Sequence, residues 1–157
     1  MFNRMSTLRV DSIRGQTADS VYKFVTQVHQ FTASEQSVSS ATDLINSSFT
    51  PKFSNSKFFV HFTIPNLTLQ EGDYFEARAY LGTSSTSTSN TNVIYVRTSG
   101  QGTTASNTQT LSASDFGTFT ASGTDNLYAS LRVTPESATS VARHSATVKM
   151  QVMEIAQ

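Results

Sequence analysis

The 157-residue sequence contains no cysteine and no tryptophan, and only 14% of its residues carry a formal charge. The absence of cysteine excludes a disulfide framework and any thiolate metal site. Eleven basic and eleven acidic residues cancel, and neither sign forms a run, whereas a nucleic-acid-binding surface normally shows as a basic patch. The sequence therefore predicts no nucleic-acid partner.

Long apolar segments are also missing. No stretch approaches the ~18 consecutive apolar residues that a membrane-spanning helix needs. Residues 1–6 read MFNRMS and lack the apolar core of a secretory signal peptide. We therefore expect neither a secretion signal nor a membrane partner.

Hydroxyl and aromatic side chains dominate what is present. Serine and threonine make up roughly 30% of the chain, and eleven phenylalanines and five tyrosines supply much of its apolar surface; such residues fit a pleated sheet better than a helix. No block of ten residues shows the helical period. The composition therefore favours an all-β protein.

Alternation of apolar and polar residues predicts about eight antiparallel strands. In residues 57–64 the apolar members are Phe58, Val60, Phe62 and Ile64, and the same alternation recurs in residues 73–81, 126–134 and 146–155. Residues 21–31 are apolar on both faces, residues 44–49 form a short apolar piece, and residues 93–97 form a strand of five residues. Pro65 is expected to end the strand before it. Residues 109–120 are expected to form one or two short strands, and the polar residues 82–92 an exposed loop.

Strands of this number and spacing, without a fixed repeat, are typical of a β-sandwich of the jelly-roll type. We predict that residues 21–157 form this single domain. Residues 1–20 are predicted to be an extended N-terminal arm whose apolar Leu8, Val10 and Ile13 contact another subunit. The alternative for the arm is a frayed terminus or a first edge strand.

Catalytic and metal-binding patterns are absent from the sequence. The three histidines, His29, His61 and His144, are isolated from one another and from metal-ligand spacings. No G-x-S-x-G elbow occurs, and the acidic residues Glu71, Asp73, Asp115 and Asp125 stand at turns, where solvation explains them. We expect no enzyme activity, no catalytic or metal-binding residues and no cofactor.

Tyrosines and arginines share one parity on neighbouring predicted strands and form the candidate interface of the sandwich. Such a surface could pack against another subunit, stack on sugars, or be an ordinary solvated face. The candidate residues are Tyr74, Arg78, Tyr80, Tyr95, Arg97, Tyr128 and Arg132.

Three segments resemble virion proteins of marine tailed phages. Residues 50–60, TPKFSNSKFFV, are similar to the ITPKSTSSKILV segment of their tail-fibre and collar proteins; residues 146–156, ATVKMQVMEIA, resemble the ATIxIMEIA end of the same proteins. Residues 6–13, STLRVDSI, resemble the STLKVDxIQ opening found upstream of such domains. The resemblance implies a trimeric jelly roll like those of tumour necrosis factor and complement C1q.

The resemblance leads to two functional hypotheses. Fibre relatives carry a shaft before the domain, whereas about twenty residues precede it here, which favours a homotrimeric capsid decoration or cement protein. This protein would contact the major capsid protein or another virion protein, and would be located in the virion after assembly in the host cytoplasm. The alternative is a tail-fibre, collar or tail-tip head domain that binds host-surface glycans through residues 82–92 and 99–107.

Overall fold

The computed structural model describes residues 25–69, 71–100, 107–142 and 145–156, and these residues form ten β-strands and one 3₁₀ turn, Ser87–Ser89, with no α-helix. The predicted arm, with Leu8, Val10 and Ile13, lies outside the described residues. The strands are β1 (Val25–Ala33), β2 (Gln36–Val38), β3 (Thr42–Phe49), β4 (Lys57–Leu69), β5 (Tyr74–Gly82), β6 (Thr91–Ser99), β7 (Asn107–Thr120), β8 (Leu127–Pro135), β9 (Thr139–Val141) and β10 (Val148–Ile155).

Two antiparallel sheets form the sandwich. In sheet A, β10 pairs with β1 on one side and with β4 on the other, β7 pairs with the far side of β4, and the short strands β2 and β9 extend β1 and β10 at one end. In sheet B the order is β3, β8, β5, β6. Counting β1 with β2 and β9 with β10 as interrupted strands gives eight, in the order of a jelly roll. The predicted fold class is confirmed.

The core lies between the sheets and consists of the alternate apolar residues that the sequence pattern predicts to face inward. Phe58, Val60, Phe62 and Ile64 of β4 are all at most 2% exposed. Alternate residues of the other long strands face them, because successive side chains of a strand point to opposite faces. These partners are Val148, Met150 and Val152 of β10, Phe75, Ala77, Ala79 and Leu81 of β5, and Leu127, Ala129, Leu131 and Val133 of β8.

The expectation that Pro65 ends its strand is wrong, since β4 continues to Leu69. Between Ile64 and Leu67 the pairing register with β7 shifts, and Asn66 takes a left-handed φ of 51°. A bulge tolerates proline because the ladder needs no N–H from it there. The carbonyl of Pro65 accepts a 2.9 Å hydrogen bond from the N–H of Ala142, which ties the bulge to the end of β9.

Residues 109–120 form most of one 14-residue strand, β7, rather than two short ones. The weak alternation there has a local cause. Between the pairs Lys57–Thr120 and Phe59–Phe116 strand β7 holds two extra residues, and Gly117 adopts a φ of +78° that glycine permits at low cost. The two extra residues leave the parity of β7 unchanged. The inward positions 115 and 117 hold aspartate and glycine, and the outward position 116 holds phenylalanine, so the apolar alternation in the sequence is weak.

Candidate interfaces on the two sheet faces

The outer face of sheet A carries an apolar row that crosses four strands. The registers place Val28 of β1 beside Met153 of β10, Met153 beside Phe59 of β4, and Phe59 beside Phe116 of β7. Val28 and Phe116, at the two edges, are 51% and 52% exposed, and the two central residues are half-buried. Neighbouring strands lie about 4.8 Å apart, so the row is about 14 Å long.

Uncharged polar side chains border this row. The next row holds Gln30, Gln151, His61 and Ser114 in register. The amide of Gln151 approaches Gln30 at 3.5 Å. Lys57 lies in the row that borders the apolar row on its opposite side. Lys149 lies two rows away from the apolar row, beyond Gln151. Within these rows the face carries no carboxylate, so its centre is apolar and its border is uncharged or basic.

The seven predicted interface residues lie together on the outer face of sheet B. The registers place Arg78 of β5 between Tyr95 of β6 and Arg132 of β8. The others follow on the same parity, with Tyr74 and Tyr80 on β5, Arg97 on β6 and Tyr128 on β8. Tyr80 differs from the rest because it is only 6% exposed.

Glu76, which sequence reasoning did not select, connects this group. Its carboxylate accepts a 3.1 Å hydrogen bond from Nη2 of Arg78 and a 2.9 Å hydrogen bond from the hydroxyl of Tyr95. The guanidinium of Arg78 lies 4.8 Å from the centre of the Tyr95 ring, and that of Arg97 lies 3.9 Å from the Tyr74 ring. Such stacking favours charge over an aromatic face. Four side chains of this face thus find partners within the chain, namely Tyr74, Arg78, Tyr95 and Arg97.

The same contacts shift two ionisation equilibria. The hydrogen bond to Glu76 raises the pKa of Arg78, and the hydrogen bond that Tyr95 donates to Glu76 raises the pKa of the Tyr95 phenol. Both shifts hold the groups in the states that make these contacts, a charged guanidinium and a protonated phenol.

The polar loop between β5 and β6 is mostly exposed, as predicted, but one of its residues is held against sheet B. Its 3₁₀ turn packs on β5 and β8, and Ser87 is 1% exposed. The Ser87 hydroxyl donates to Asp43 at 2.9 Å, and Asp43 also accepts from Arg132 at 2.8 Å. Asn46 donates to the carbonyl of Ser85 at 2.8 Å. The Ser87 hydroxyl can be buried here because β3 supplies a hydrogen-bond partner to it.

A second structured site surrounds the fully buried Glu154 at the end of β10. Its carboxylate accepts hydrogen bonds from the N–H groups of Lys52, at 2.9 and 3.0 Å, and Phe53, at 3.0 Å, and from the hydroxyl of Ser56 at 2.6 Å. The β3–β4 loop therefore wraps a carboxylate. Its signal in the sequence is that Glu154 has the inward parity of Val152, but sequence reasoning passed over it.

The histidines occupy separate places. His29 of β1 packs against Phe49 in a tilted arrangement with ring centres 4.6 Å apart, and among the described residues its buried Nε2 has no hydrogen-bond partner. Burial lowers the pKa of His29, while the charge of Glu154 opposes that shift. His61 Nε2 lies 3.2 Å from the hydroxyl of Thr63. His144 lies outside the described residues.

Neither a metal site nor a membrane span emerges from the part of the chain that the structure describes. Within it no group of three histidine, aspartate or glutamate side chains is placed to hold a metal ion. No helix in this part has the length and hydropathy needed to cross a bilayer. Acidic residues at one set of turns bridge neighbouring segments: Glu136 accepts from the backbone N–H of Tyr74 at 3.0 Å, and Asp73 accepts from the side-chain hydroxyl of Ser137.

Comparison with known proteins gives structural neighbours only. No protein-family model matches the chain, and no curated protein matches its sequence. Among solved structures, the VP2 subviral particle of infectious bursal disease virus is similar over 92% of this chain and 40% of the VP2 chain, at 11% identity and a TM-score of 0.49.

A second VP2 neighbour gives the same result. T=1 particles of a mutant VP2 of that virus are similar over 91% of this chain and 40% of the other, at 11% identity and a TM-score of 0.44. The chain thus spans about two fifths of the length of these neighbours. The jelly-roll strand order establishes the fold without them.

Proposed function

We propose that this chain is a non-enzymatic structural protein of a virus particle. In this proposal it is a homotrimer that decorates or cements the capsid. The jelly roll forms its body, and the N-terminal arm, with Leu8, Val10 and Ile13, contacts the major capsid protein or another virion protein. The proposal starts from the three segments that resemble phage virion proteins.

The Glu154 site is the observation that carries the proposal. Of the three resembling segments, residues 50–60 contain the loop that donates hydrogen bonds, and residues 146–156 contain the carboxylate that accepts them. Two segments almost one hundred residues apart therefore resemble the same family and contact each other in the fold. Their pairing supports a shared structure rather than two chance similarities.

The hydrogen bonding of Glu154 favours a structural role for this carboxylate over a catalytic one. The carboxylate of Glu154 is fully buried and is bound by a loop of its own chain, so it closes the sandwich instead of facing a cleft. Buried charges are retained where backbone donors satisfy them. A protein whose most elaborate polar site fixes a loop fits a structural role.

Locating the protein in intact particles tests the proposal. Mass spectrometry of purified particles should detect the chain at a fixed ratio to the capsid protein, and antibody labelling should place it on the shell. Absence from the particles would refute the structural role. Labelling confined to the tail would refute the capsid position.

The role of the arm is tested separately. Particles lacking the chain are incubated with the full protein, with a variant lacking residues 1–18, and with a Leu8→Ser, Val10→Ser, Ile13→Ser variant of full length. Both variants should retain the circular dichroism of the sandwich and lose most of their occupancy on particles. Unchanged occupancy of either variant would exclude the arm as the attachment element.

A tail-fibre, collar or tail-tip head that binds host glycans is the second candidate. The 52% exposed ring of Tyr95, beside Arg78, favours it, because sugars stack on exposed aromatic rings flanked by polar groups. A glycan array separates the candidates. Binding that is lost in Tyr95→Ser would support the head domain, and the absence of binding would support the capsid role.

A further inference from the structure

Three arginines on the outer face of sheet B differ in how the chain neutralises them. Arg78 pairs with Glu76 at 3.1 Å, and Arg132 pairs with Asp43 at 2.8 Å. Among the described residues Arg97 has no carboxylate partner and donates no hydrogen bond, and its side chain is exposed. The face therefore carries one positive charge that the described part of the chain leaves without a counter-charge in direct contact.

The contact between Arg97 and Tyr74 determines how that charge is presented. The guanidinium lies 3.9 Å from the centre of the Tyr74 ring, and stacked arginines use the flat face of the guanidinium for such a contact. The five N–H donors of a guanidinium lie in its plane, so the contact leaves them available. A planar fork of available donors matches the two oxygens of a carboxylate.

The position of Arg97 in the sheet makes it accessible to a partner. Strand β6 is an edge strand of sheet B, and its outward side chains Tyr95, Arg97 and Ser99 are all exposed. We call these three residues the β6 strip. Tyrosine and arginine are enriched among the residues that contribute most to protein interfaces, and the serine hydroxyl adds a hydrogen-bonding group beside them.

The charges around the β6 strip select the chemistry of its partner. Glu76 lies directly beside Arg97 in the pairing register. A nucleic acid or a polyuronate carries a negative charge on every unit, so its charges would meet Glu76 as well as Arg97, and like charges repel. A protein surface can instead place one carboxylate opposite Arg97 and surround it with uncharged residues. The charge pattern thus favours a protein partner over a uniform polyanion.

We propose that the β6 strip binds an aspartate or glutamate side chain on a neighbouring virion protein. The guanidinium of Arg97 donates hydrogen bonds to that carboxylate, and Tyr95 and Ser99 pack against the uncharged residues that flank it. This inference rests on the proposed function and adds a second contact to that of the N-terminal arm.

Particles lacking the chain, incubated with the full-length protein and its variants, test the contact. Arg97→Gln should weaken binding to particles by about tenfold or more, because a charge-assisted hydrogen bond is lost. Arg97→Lys should recover only part of the affinity, because an ammonium lacks the planar fork. Lys149→Gln is the matched control. Lys149 is also exposed and also lacks a carboxylate partner among the described residues, but it lies on sheet A, so this variant should bind like the wild type.

Three results of that experiment would overturn the contact. Unchanged binding of Arg97→Gln would show that the β6 strip does not meet the partner. Equal losses for Arg97→Gln and Lys149→Gln would reduce the effect to net charge. A change of mass in light scattering of Arg97→Gln alone would place a second copy of this chain on the strip. Circular dichroism and thermal unfolding establish that each variant is folded.

A binding experiment on the purified full-length protein separates the carboxylate site from the virion role. Two-dimensional NMR of the isotope-labelled protein follows the backbone amides of β6 while a capped pentapeptide, Gly-Ser-Glu-Ser-Gly, is added at millimolar concentration. The matched control peptide has glutamine in place of glutamate. Only the glutamate peptide should shift these resonances, and Arg97→Gln should abolish the shifts.

The outcomes distinguish the partner classes and the two proposals. Larger shifts with polygalacturonate than with the glutamate peptide, at equal carboxylate concentration, would identify an acidic glycan as the ligand and overturn the protein partner. Absence of shifts with the glutamate peptide would overturn the carboxylate site. Peptide binding through Arg97 in a protein absent from virus particles would leave that site standing and remove the virion role. A protein whose attachment to particles ignores Arg97 would do the reverse.

Discussion

Ser56 and Glu154, 98 positions apart, share a 2.6 Å hydrogen bond in the interior of the sandwich. The hydroxyl of Ser56 donates to Oε1 of the carboxylate, and both side chains are 0% exposed. This bond joins the residue before β4 to the end of β10, and the two strands themselves pair. It fixes the β3–β4 loop because the same carboxylate also accepts backbone N–H groups from that loop.

Replacing Glu154 with glutamine should destabilise the protein by about 3 kcal/mol. An amide keeps the shape, but its NH₂ group replaces one of the two acceptor oxygens. The donors that faced that oxygen then lose their partner, and unsatisfied buried donors cost about 1–3 kcal/mol each. Urea unfolding monitored by circular dichroism measures the change. Glu136→Gln is the matched control: that exposed carboxylate also accepts a backbone N–H, from Tyr74, but it remains in contact with solvent. Its cost should stay below about 1 kcal/mol. Equal effects of the two substitutions would contradict the assigned role of Glu154.

Gly82→Ala should destabilise the β5–β6 loop, because a Cβ atom there would lie 2.3 Å from Oδ1 of Asn90. That oxygen accepts a hydrogen bond from the N–H of Ser84 at 3.0 Å, and the Asn90 amide donates to the Ser84 carbonyl at 2.8 Å. The added Cβ atom would displace the Asn90 side chain and break both hydrogen bonds. Overpacking of this kind costs about 1–3 kcal/mol. Gly123→Ala is the control, since its Cβ would meet nothing within 4 Å. Thermal unfolding of both variants decides the matter; a Gly82→Ala protein as stable as Gly123→Ala would show that the loop adapts.

Period-2 alternation predicted which residues of β4, β5, β8 and β10 are buried, because one face of each strand packs in the core. The same parity placed the tyrosines and arginines of sheet B on one surface. Period-2 alternation could not predict features that depend on the pairing register between strands. Val28, Met153, Phe59 and Phe116 are unremarkable singly, and only their pairing shows a continuous row.

The attachment of the polar loop through the buried Ser87 and the site around Glu154 could not be predicted for a related reason. A run of serine and threonine is ordinarily solvated, and the sequence does not state that β3 will supply Asp43 and Asn46 beneath residues 83–90. Likewise, a glutamate at an inward position contradicts the pattern unless the loop that satisfies it is known. In both cases, burial of the polar side chain depends on hydrogen-bond partners that lie far away in the sequence.

The ion pair between Asp43 and Arg132 should contribute more than that between Glu76 and Arg78. In the first pair both side chains are about one quarter exposed, while Arg78 in the second is 42% exposed. Exposed pairs contribute about 0.2–1 kcal/mol, and exposure to salt and water reduces that value further. Double-mutant cycles with alanine should give about 1 kcal/mol of coupling for the first pair and a few tenths for the second.

Single substitutions of Asp43 and Arg132 test whether Asp43 also holds the β5–β6 loop. Asp43→Ala should cost more than Arg132→Ala, because Asp43 also accepts the hydroxyl of the buried Ser87. Removing the acceptor leaves a buried donor unpaired, at about 1–3 kcal/mol. Urea unfolding of the two single variants provides the comparison. If they were equally destabilised, the Ser87 hydroxyl would not depend on Asp43.

Stability should decline as pH falls from 7.5 to 5.5, in part through His29. Burial against Phe49 lowers the pKa of His29 below its ordinary value of 6.5, so near that pH the unfolded chain binds the proton more readily than the folded protein. Free energy of unfolding then decreases on acidification through 6.5 and levels off below the folded pKa. The neighbouring Glu154 opposes the shift and reduces the effect. Urea midpoints of the wild type and His29→Gln, measured at both pH values, isolate this contribution because the two proteins differ only at residue 29. A smaller difference is expected in His29→Gln, and an unchanged one would show that burial of this imidazole does not couple to folding.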